Sequence, residues 1–476
     1  MQLLFLFISV TLYVTAPRAF SLPFCIICAI LYIIHWSRIV QLERSFSNTG
    51  LLTFNLLFAL SGFAVVFIFP LFVYGTTKDY SYQNLSVFSD FSVNKVTALS
   101  TLAYSVYLVA FEYYYASSTL LRTNKTYVGI KVSAKALQII LFLTAVMVLF
   151  FSLNIILFVR TKGSEYNDLT VNTYVAELTK CFLTLSLICS CERYKYKFKG
   201  KGRNFLYYCK MPIVFFLIVI LEYLYIGDRG FVIVGSLMLL FAYYHYIGKI
   251  RNLILIPILV IGIVIMSLIG QLRKTDSSFR EGGVSSFTSA SDEILKSSIN
   301  WLDFISDLTL VSNVAYLGMD YSENNKLYKP ERLLVILSSP IPFMPSVISN
   351  SLYGDSNQST STGFAITKYY QGRAKLSGDG GTGTQVAIDL YMSWGIIGVI
   401  IGMWLLGAII AKACINKNTN VYYLITLITF FGLAIYVPRS TIYVCFRTIV
   451  WEMLLLYFFV DVYKVKDPQV RKYGDS

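Results

Sequence analysis

Long apolar runs alternate with short polar turns along this chain, and the alternation holds from the first residue to position 271. A run of ~17–25 apolar residues is enough to cross a bilayer core. The pattern predicts twelve spans, near 2–16, 20–36, 51–74, 95–116, 137–159, 171–190, 211–227, 231–248, 252–271, 386–411, 420–437 and 442–462. The first is short enough to pass for a signal-peptide core. It lacks a basic leading segment, however, and Pro17-Arg18 leads directly into the next run, which predicts a tight hairpin of spans.

The layout that follows is nine spans in 1–271, a polar segment in 272–385, three spans in 386–463 and a basic tail in 464–476. The polar segment is too long for an ordinary connection and is expected to fold and carry function. Within it, Trp301-Leu-Asp-Phe-Ile-Ser-Asp-Leu-Thr-Leu spaces its apolar residues as an amphipathic helix does. Leu333–Leu337 runs into Pro340, Pro342 and Pro345, which predicts a short helix ending in an extended or re-entrant turn at the membrane surface. The Ser/Asn/Thr/Gly-rich run Ser349–Gly363 is expected to be mobile, and Gly378-Asp-Gly-Gly-Thr-Gly-Thr leads into the tenth span. No internal repeat is visible, which weakens a transporter reading built on duplicated halves.

Composition sharpens this picture. With 56% apolar and only 14% charged residues, the chain is far from the ~25% charged content of soluble domains, so a soluble enzyme, a disulfide scaffold and a disordered tail are excluded. The net charge of +14 has the sign that attracts nucleic acid, but its distribution points elsewhere. With both termini cytoplasmic, the inner segments carry 21 Lys and Arg and the short outer loops 7, the bias that orients membrane proteins. The 272–385 segment then faces outward.

None of the eight cysteines lies in that outer loop, so no disulfide framework supports it. Cys25-Ile-Ile-Cys28 has redox-motif spacing, but inside an apolar helix it reads as two small buried residues. Both histidines, His35 and His245, sit at inner ends of spans, so a histidine triad or histidine metal site on the outer face is excluded.

Ionisable residues within spans are costly and therefore informative. Glu112 reads equally as a functional group or as an interfacial carboxylate among tyrosines. Glu177 and Lys180 share a helical face and are expected to pair. Glu222 stands near an outer turn and is open to either reading. Five arginines stand near the outer face: Arg273, Arg280, Arg373, Arg439 and Arg447. Guanidinium is always charged and its planar fork suits phosphate, so a set of them fits a lipid-linked diphosphate. The alternative is snorkelling, or structural pairing with Glu281, Asp389 or Glu452. The glycine run lacks the Lys-Ser/Thr ending of a nucleotide loop and reads better as a flexible approach to a sugar or phosphate.

The segment Ser339-Pro-Ile-Pro, the Gly/Thr-rich stretch, and Gln385-Val-Ala-Ile-Asp389-Leu-Tyr391-Met-Ser-Trp-Gly395-Ile-Ile-Gly398 resemble the O-antigen polymerase (Wzy-type) family of bacterial membrane proteins. The match covers about 60 residues; an Arg–ten residues–Gly motif of some members is absent, since Arg273–Gly283 and Arg373–Gly383 each enclose nine. The resemblance implies an all-α polytopic membrane protein of the multi-span (GT-C-like) glycosyltransferase class, with a periplasmic loop, in the bacterial inner membrane. It implies transfer of a growing glycan between polyprenyl-diphosphate-linked oligosaccharide repeats, with no cofactor, no metal and no nucleic-acid partner, and with a separate chain-length regulator. On this reading Arg280 and Arg373 hold the diphosphate. Asp389 is the base or an arginine orienter, and Arg273, Arg439, Arg447 and Tyr391 are further substrate contacts. The rivals are an O-antigen ligase, whose family uses a loop histidine that this loop lacks, and a flippase or transporter for lipid-linked sugar.

Overall fold

The computed structural model describes residues 2–46, 52–74, 88–120, 127–160, 170–225, 230–248, 301–325, 334, 337–353, 366, 384–440 and 443–465. The helices follow the apolar runs: α1 (Gln2–Val14), α2 (Leu22–Phe46), α3 (Phe54–Ile68), α4 (Asp90–Leu120), α5 (Ala134–Arg160), α6 (Thr170–Phe198), α7 (Gly202–Tyr208), α8 (Lys210–Tyr225) and α9 (Gly230–Tyr246). After them come α10 (Trp301–Asn325), α11 (Met344–Tyr353), α12 (Val386–Asn416), α13 (Val421–Gly432) and α14 (Tyr443–Phe459). The predicted ninth span, 252–271, lies outside the described residues.

Six of these helices are long and apolar enough to cross a membrane, or seven if Gly202–Tyr208 and Lys210–Leu224, bent by 80°, form one broken span. Leu3–Val14, Gly230–Tyr246 and Val421–Gly432 are apolar but shorter. Among the described residues, length therefore supports six or seven crossings of the twelve expected.

Local chemistry explains where several helices begin. Thr53 caps α3 by accepting from Leu56 N at 3.2 Å, and Asn420 caps α13 by accepting from Tyr422 N at 2.9 Å. Ser133 does the same for α5, accepting from Ala136 N at 3.0 Å. Pro70 lacks an amide hydrogen, and there α3 passes into a π-helical segment, Phe69–Tyr74.

α4 is the central post of the bundle, buried along nearly all of Val93–Glu112. Its buried hydroxyls are satisfied within the helix: Thr97, Thr101 and Ser105 each donate to the carbonyl four residues back at 2.7–2.9 Å. α12 lies along α4 as its principal partner. Small residues let the two backbones approach, and a Cβ at Gly407 would come within 2.6 Å of the Tyr107 carbonyl oxygen.

Two short strands, β1 (Tyr127–Lys131) and β2 (Asp461–Val465), pair antiparallel, from Tyr127 opposite Val465 to Lys131 opposite Asp461. Val128 N also donates to Thr419 O at 2.7 Å, and Arg193 Nη1 to Val132 O at 2.6 Å. Four segments that the charge bias assigns to one side of the membrane thus meet at one end of the bundle.

Two expectations need correction, and a third is extended. The helix expected at Trp301 is present and runs on to Asn325, while the side chains of 301–310, the stretch read as amphipathic, lie outside the described residues. Beyond them, residues 311–320 are buried on every side, and the helix packs against α3, α4 and α12. Its apolar continuation, Leu-Val-Ser-Asn-Val-Ala-Tyr-Leu-Gly-Met, carries no charge from position 310 to 319, which makes that depth tolerable. Next, the run at Ser349 begins inside α11, so its first five residues are helical. The proline turn does interrupt a helix, but the chain resumes one at once, because Pro345 sits in the first turn of α11 where no amide hydrogen is required. Finally, Glu112 is held by Arg38, Nε to Oε1 2.7 Å, in place of tyrosines.

Candidate functional site

At the end of the bundle opposite the strands, α10 brings carboxylates from the long inter-span segment against α4 and α12. Asp320 is buried and accepts from Ser89 N at 2.7 Å, Ser89 Oγ at 2.6 Å and Ser92 Oγ. Ser89 stands just before α4, so this one carboxylate closes the start of α4 and fastens α10 to it. A carboxylate with three donors is well satisfied, and removing it strands them. Asp320→Ala should cost roughly 1–3 kcal/mol of stability, the penalty for orphaned buried donors. A lower thermal midpoint and faster proteolysis between α10 and α12 would register it; unchanged cleavage would mean that Asp320 does not secure the helix.

One turn further along α10, Glu323 is exposed and accepts the Tyr391 hydroxyl at 2.7 Å. The Tyr13 hydroxyl donates to that of Tyr391 at 3.3 Å. Lys95 Nζ donates to the Tyr13 carbonyl at 2.8 Å, lies 3.8 Å from the Tyr13 ring centroid, and interacts electrostatically with Glu323. An acid, an ammonium and two phenols from four helices therefore converge. Asp389 is buried in the first turn of α12, two residues before Tyr391. Gln385 is fixed through Nε2 to Ser100 Oγ at 2.9 Å, but its Oε1, together with Thr384 Oγ1, Tyr316 Oη and Ser322 Oγ, is buried with no hydrogen-bond partner. Such uncommitted polar atoms give this end of the bundle unused capacity for a polar ligand.

Backbone geometry sets the site's shape. α12 is broken at Trp394 (φ −139°, ψ 25°) and Gly395 (φ 62°, ψ −150°). The Gly395 conformation is essentially closed to residues with a side chain. The break separates the half-helix carrying Asp389 and Tyr391 from the long half packed on α4. Gly318 completes the fit, since a Cβ there would lie 2.8 Å from Ile366 Cδ1 and 3.1 Å from Ile388 Cγ1.

The arginines divide. Arg273, Arg280 and Arg373 lie outside the described residues. Arg447 pairs with Glu177, Nη2 to Oε1 3.5 Å, and Lys180 joins the same oxygen at 3.0 Å. The Glu177–Lys180 pair was legible in the sequence; Glu177 as the partner of Arg447 was not. Thr448 donates to the other Glu177 oxygen at 3.3 Å, while Arg447 Nε is buried without a partner. Above this network the Trp451 indole donates to Pro340 O at 2.6 Å, and Phe343 N to Tyr174 Oη at 2.7 Å, so the proline turn is docked on α6 and α14. Arg439 ends the short 3-10 turn Val437–Arg439 and stands 5.7 Å from the Tyr436 ring centroid. Asp389 and Tyr391 thus belong to one cluster and Arg447 to another, built on different helices.

Sequence reasoning missed Asp320, Glu323 and Tyr13, and it counted Lys95 only as a loop charge. The one local signal was the i, i+3 acidic spacing of Asp320 and Glu323 after an uncharged helical stretch.

A family model described as O-antigen polysaccharide polymerase Wzy matches residues 1–466, which includes the helices on both sides of the long segment and the segment itself. No curated protein and no solved structure matches the chain.

Proposed function

The chain belongs to the O-antigen polysaccharide polymerase Wzy family, and from that premise we propose that it joins polyprenyl-diphosphate-linked oligosaccharide repeats at the end of the bundle where α10 meets α12. Family membership favours polymerisation over ligation or flipping. The observation that supports this place for the chemistry is the convergence of Glu323, Tyr391, Lys95 and Asp320 beside unpartnered buried polar atoms. We assign that end to the periplasmic face of the inner membrane, in keeping with the charge bias, with both termini cytoplasmic and a GT-C-like arrangement of spans.

In the reaction, an acceptor hydroxyl oxygen forms a bond to the anomeric carbon of the donor glycan. The bond from that carbon to the diphosphate oxygen breaks, and the electron pair leaves with the polyprenyl diphosphate. The hydroxyl proton passes to a carboxylate. Glu323, exposed and oriented by Tyr391, suits the base, whereas the burial of Asp389 favours its role as orienter of an arginine. Arg280 and Arg373 neutralise the leaving diphosphate, work that fixed cations accomplish without a metal. Arg273, Arg439 and the spare Nε of Arg447 are further contacts for the carrier. A separate protein regulates chain length.

The test is extension of a purified lipid-linked repeat by the purified chain, with and without chelator. Elongation should proceed unchanged in chelator, with release of polyprenyl diphosphate. No elongation in either condition would overturn the polymerase reading; elongation lost only in chelator would overturn the arginine-based account of the leaving group.

A further inference from the structure

A second cavity lies at the strand end of the bundle, away from the proposed polymerisation site. Its volume is about 280 Å³, and its wall includes Glu43, Tyr244, His245, Lys417 and Asn418. α12 connects the two places: Tyr391 is near its start and Cys414 near its end, and the unbroken part from Ile396 to Cys414 alone runs ~27 Å at 1.5 Å per residue. The cavity is therefore not part of the glycan-transfer machinery.

Its chemistry is two-signed. Glu43 is buried, its carboxylate held by Asn55 Nδ2 at 3.1 Å and by Cys414 Sγ at 3.8 Å. A carboxylate accepts about four hydrogen bonds, so it retains capacity. Lys417 borders the same space and attracts the Glu43 carboxylate, but among the described residues no ion pair is formed between them. Opposite charges on one cavity wall are complementary to a ligand that carries both signs. The Tyr244 hydroxyl is the second indication. Tyr244 is 9% exposed, lines the cavity, and its oxygen is buried with no hydrogen-bond partner. Much of the remaining described wall is apolar, with Leu52, Phe54, Phe241 and Phe431 among its members, and Thr53 and Tyr115 add hydroxyls to it.

We propose that this cavity binds a zwitterionic aminoalkyl phosphate, with the ammonium on Glu43 and the phosphate on Lys417 and His245. The donor groups of Lys417, His245 and Asn418, which all line the cavity, suit the several oxygens of a phosphate better than the two of a carboxylate. The apolar wall suits the glycerol and first methylenes of a lipid that presents this head group.

The experiment uses the purified full-length chain in detergent and follows its thermal midpoint and binding isotherm. The probes are dihexanoyl phosphatidylethanolamine, dihexanoyl phosphatidylglycerol and free phosphoethanolamine. The ethanolamine lipid should raise the midpoint saturably and bind at least about tenfold tighter than the glycerol lipid, a tenfold ratio being ~1.4 kcal/mol. Equal binding by free phosphoethanolamine would support the site and assign it a soluble ligand. Lys417→Ala, at a half-exposed position, should weaken binding without unfolding the chain, and Glu43→Gln and Tyr244→Phe should weaken it as well. Indifference between the two lipids, or full binding by Lys417→Ala, would overturn the proposal. Polymerase activity does not enter these readouts, so they stand apart from the functional reading.

Discussion

A Gly395→Ala variant is expected to reach the membrane in normal amounts but to elongate glycan about 10²-fold more slowly, the cost of displacing positioned groups by ~1 Å. The reason is local. Gly395 has φ 62° and ψ −150°, where a β-carbon collides with its own backbone, at a cost of about 1–3 kcal/mol. The cheapest relief is to carry the helix through the break. Straightening α12 swings its first half away from α10, parting Tyr391 from Glu323 and Ile388 from the notch that Gly318 leaves. The matched control is Gly402→Ala. The three atoms nearest to a Cβ there all belong to the Leu390 side chain, two of them at 2.5 Å and 2.6 Å, and that flexible side chain can turn aside. Glycan ladders of strains carrying each variant distinguish the two: single repeats for Gly395→Ala, long chains for Gly402→Ala. A long ladder from both would show that the break in α12 does not position the chemistry.

Alanine at Arg280 or at Arg373 is expected to abolish elongation and to leave membrane insertion intact. A departing diphosphate carries concentrated charge close to lipid, where its neutralisation is worth most. Loss of a single preorganised donor at developing charge costs about 10²–10³-fold, and loss of a full positive charge should exceed that. Lysine at the same positions restores charge without the planar fork, so partial rescue is expected. The measurement is the rate at which purified variants extend a lipid-linked repeat. Normal glycan length in both alanine variants would remove the two arginines from the mechanism.

The bundle was readable in advance because its cause is compositional. Each described helix beyond the long polar segment and the short connector α7 stands where an apolar run does, since hydrocarbon accepts little else. The Glu177–Lys180 pair was readable because the partners stand three positions apart on a helix. What stayed hidden was long-range. Asp320 meets Ser89 and Ser92, and Glu323 meets Tyr391, across separations no periodicity encodes. The depth of α10 was hidden for another reason: the helical spacing was read over 301–310 only, whereas the uncharged stretch that follows is what is buried, its Ser312 hydroxyl satisfied by the Val65 carbonyl. The break at Gly395 lies within a run apolar enough to read as one continuous span; the glycine was visible, but its positive φ was not.

The ladder between β1 and β2 bears on how the molecule is made. When Tyr127–Lys131 leaves the ribosome, the strand it will pair with has yet to be translated, and most of the helices must be threaded into lipid first. Until Asp461–Val465 follows, β1 is an open edge, available to a chaperone or to a wrong neighbour. Zipping the two strands is thus a closing act of biogenesis, and a ribosome stalled within α14 would release a chain whose clasp never shuts.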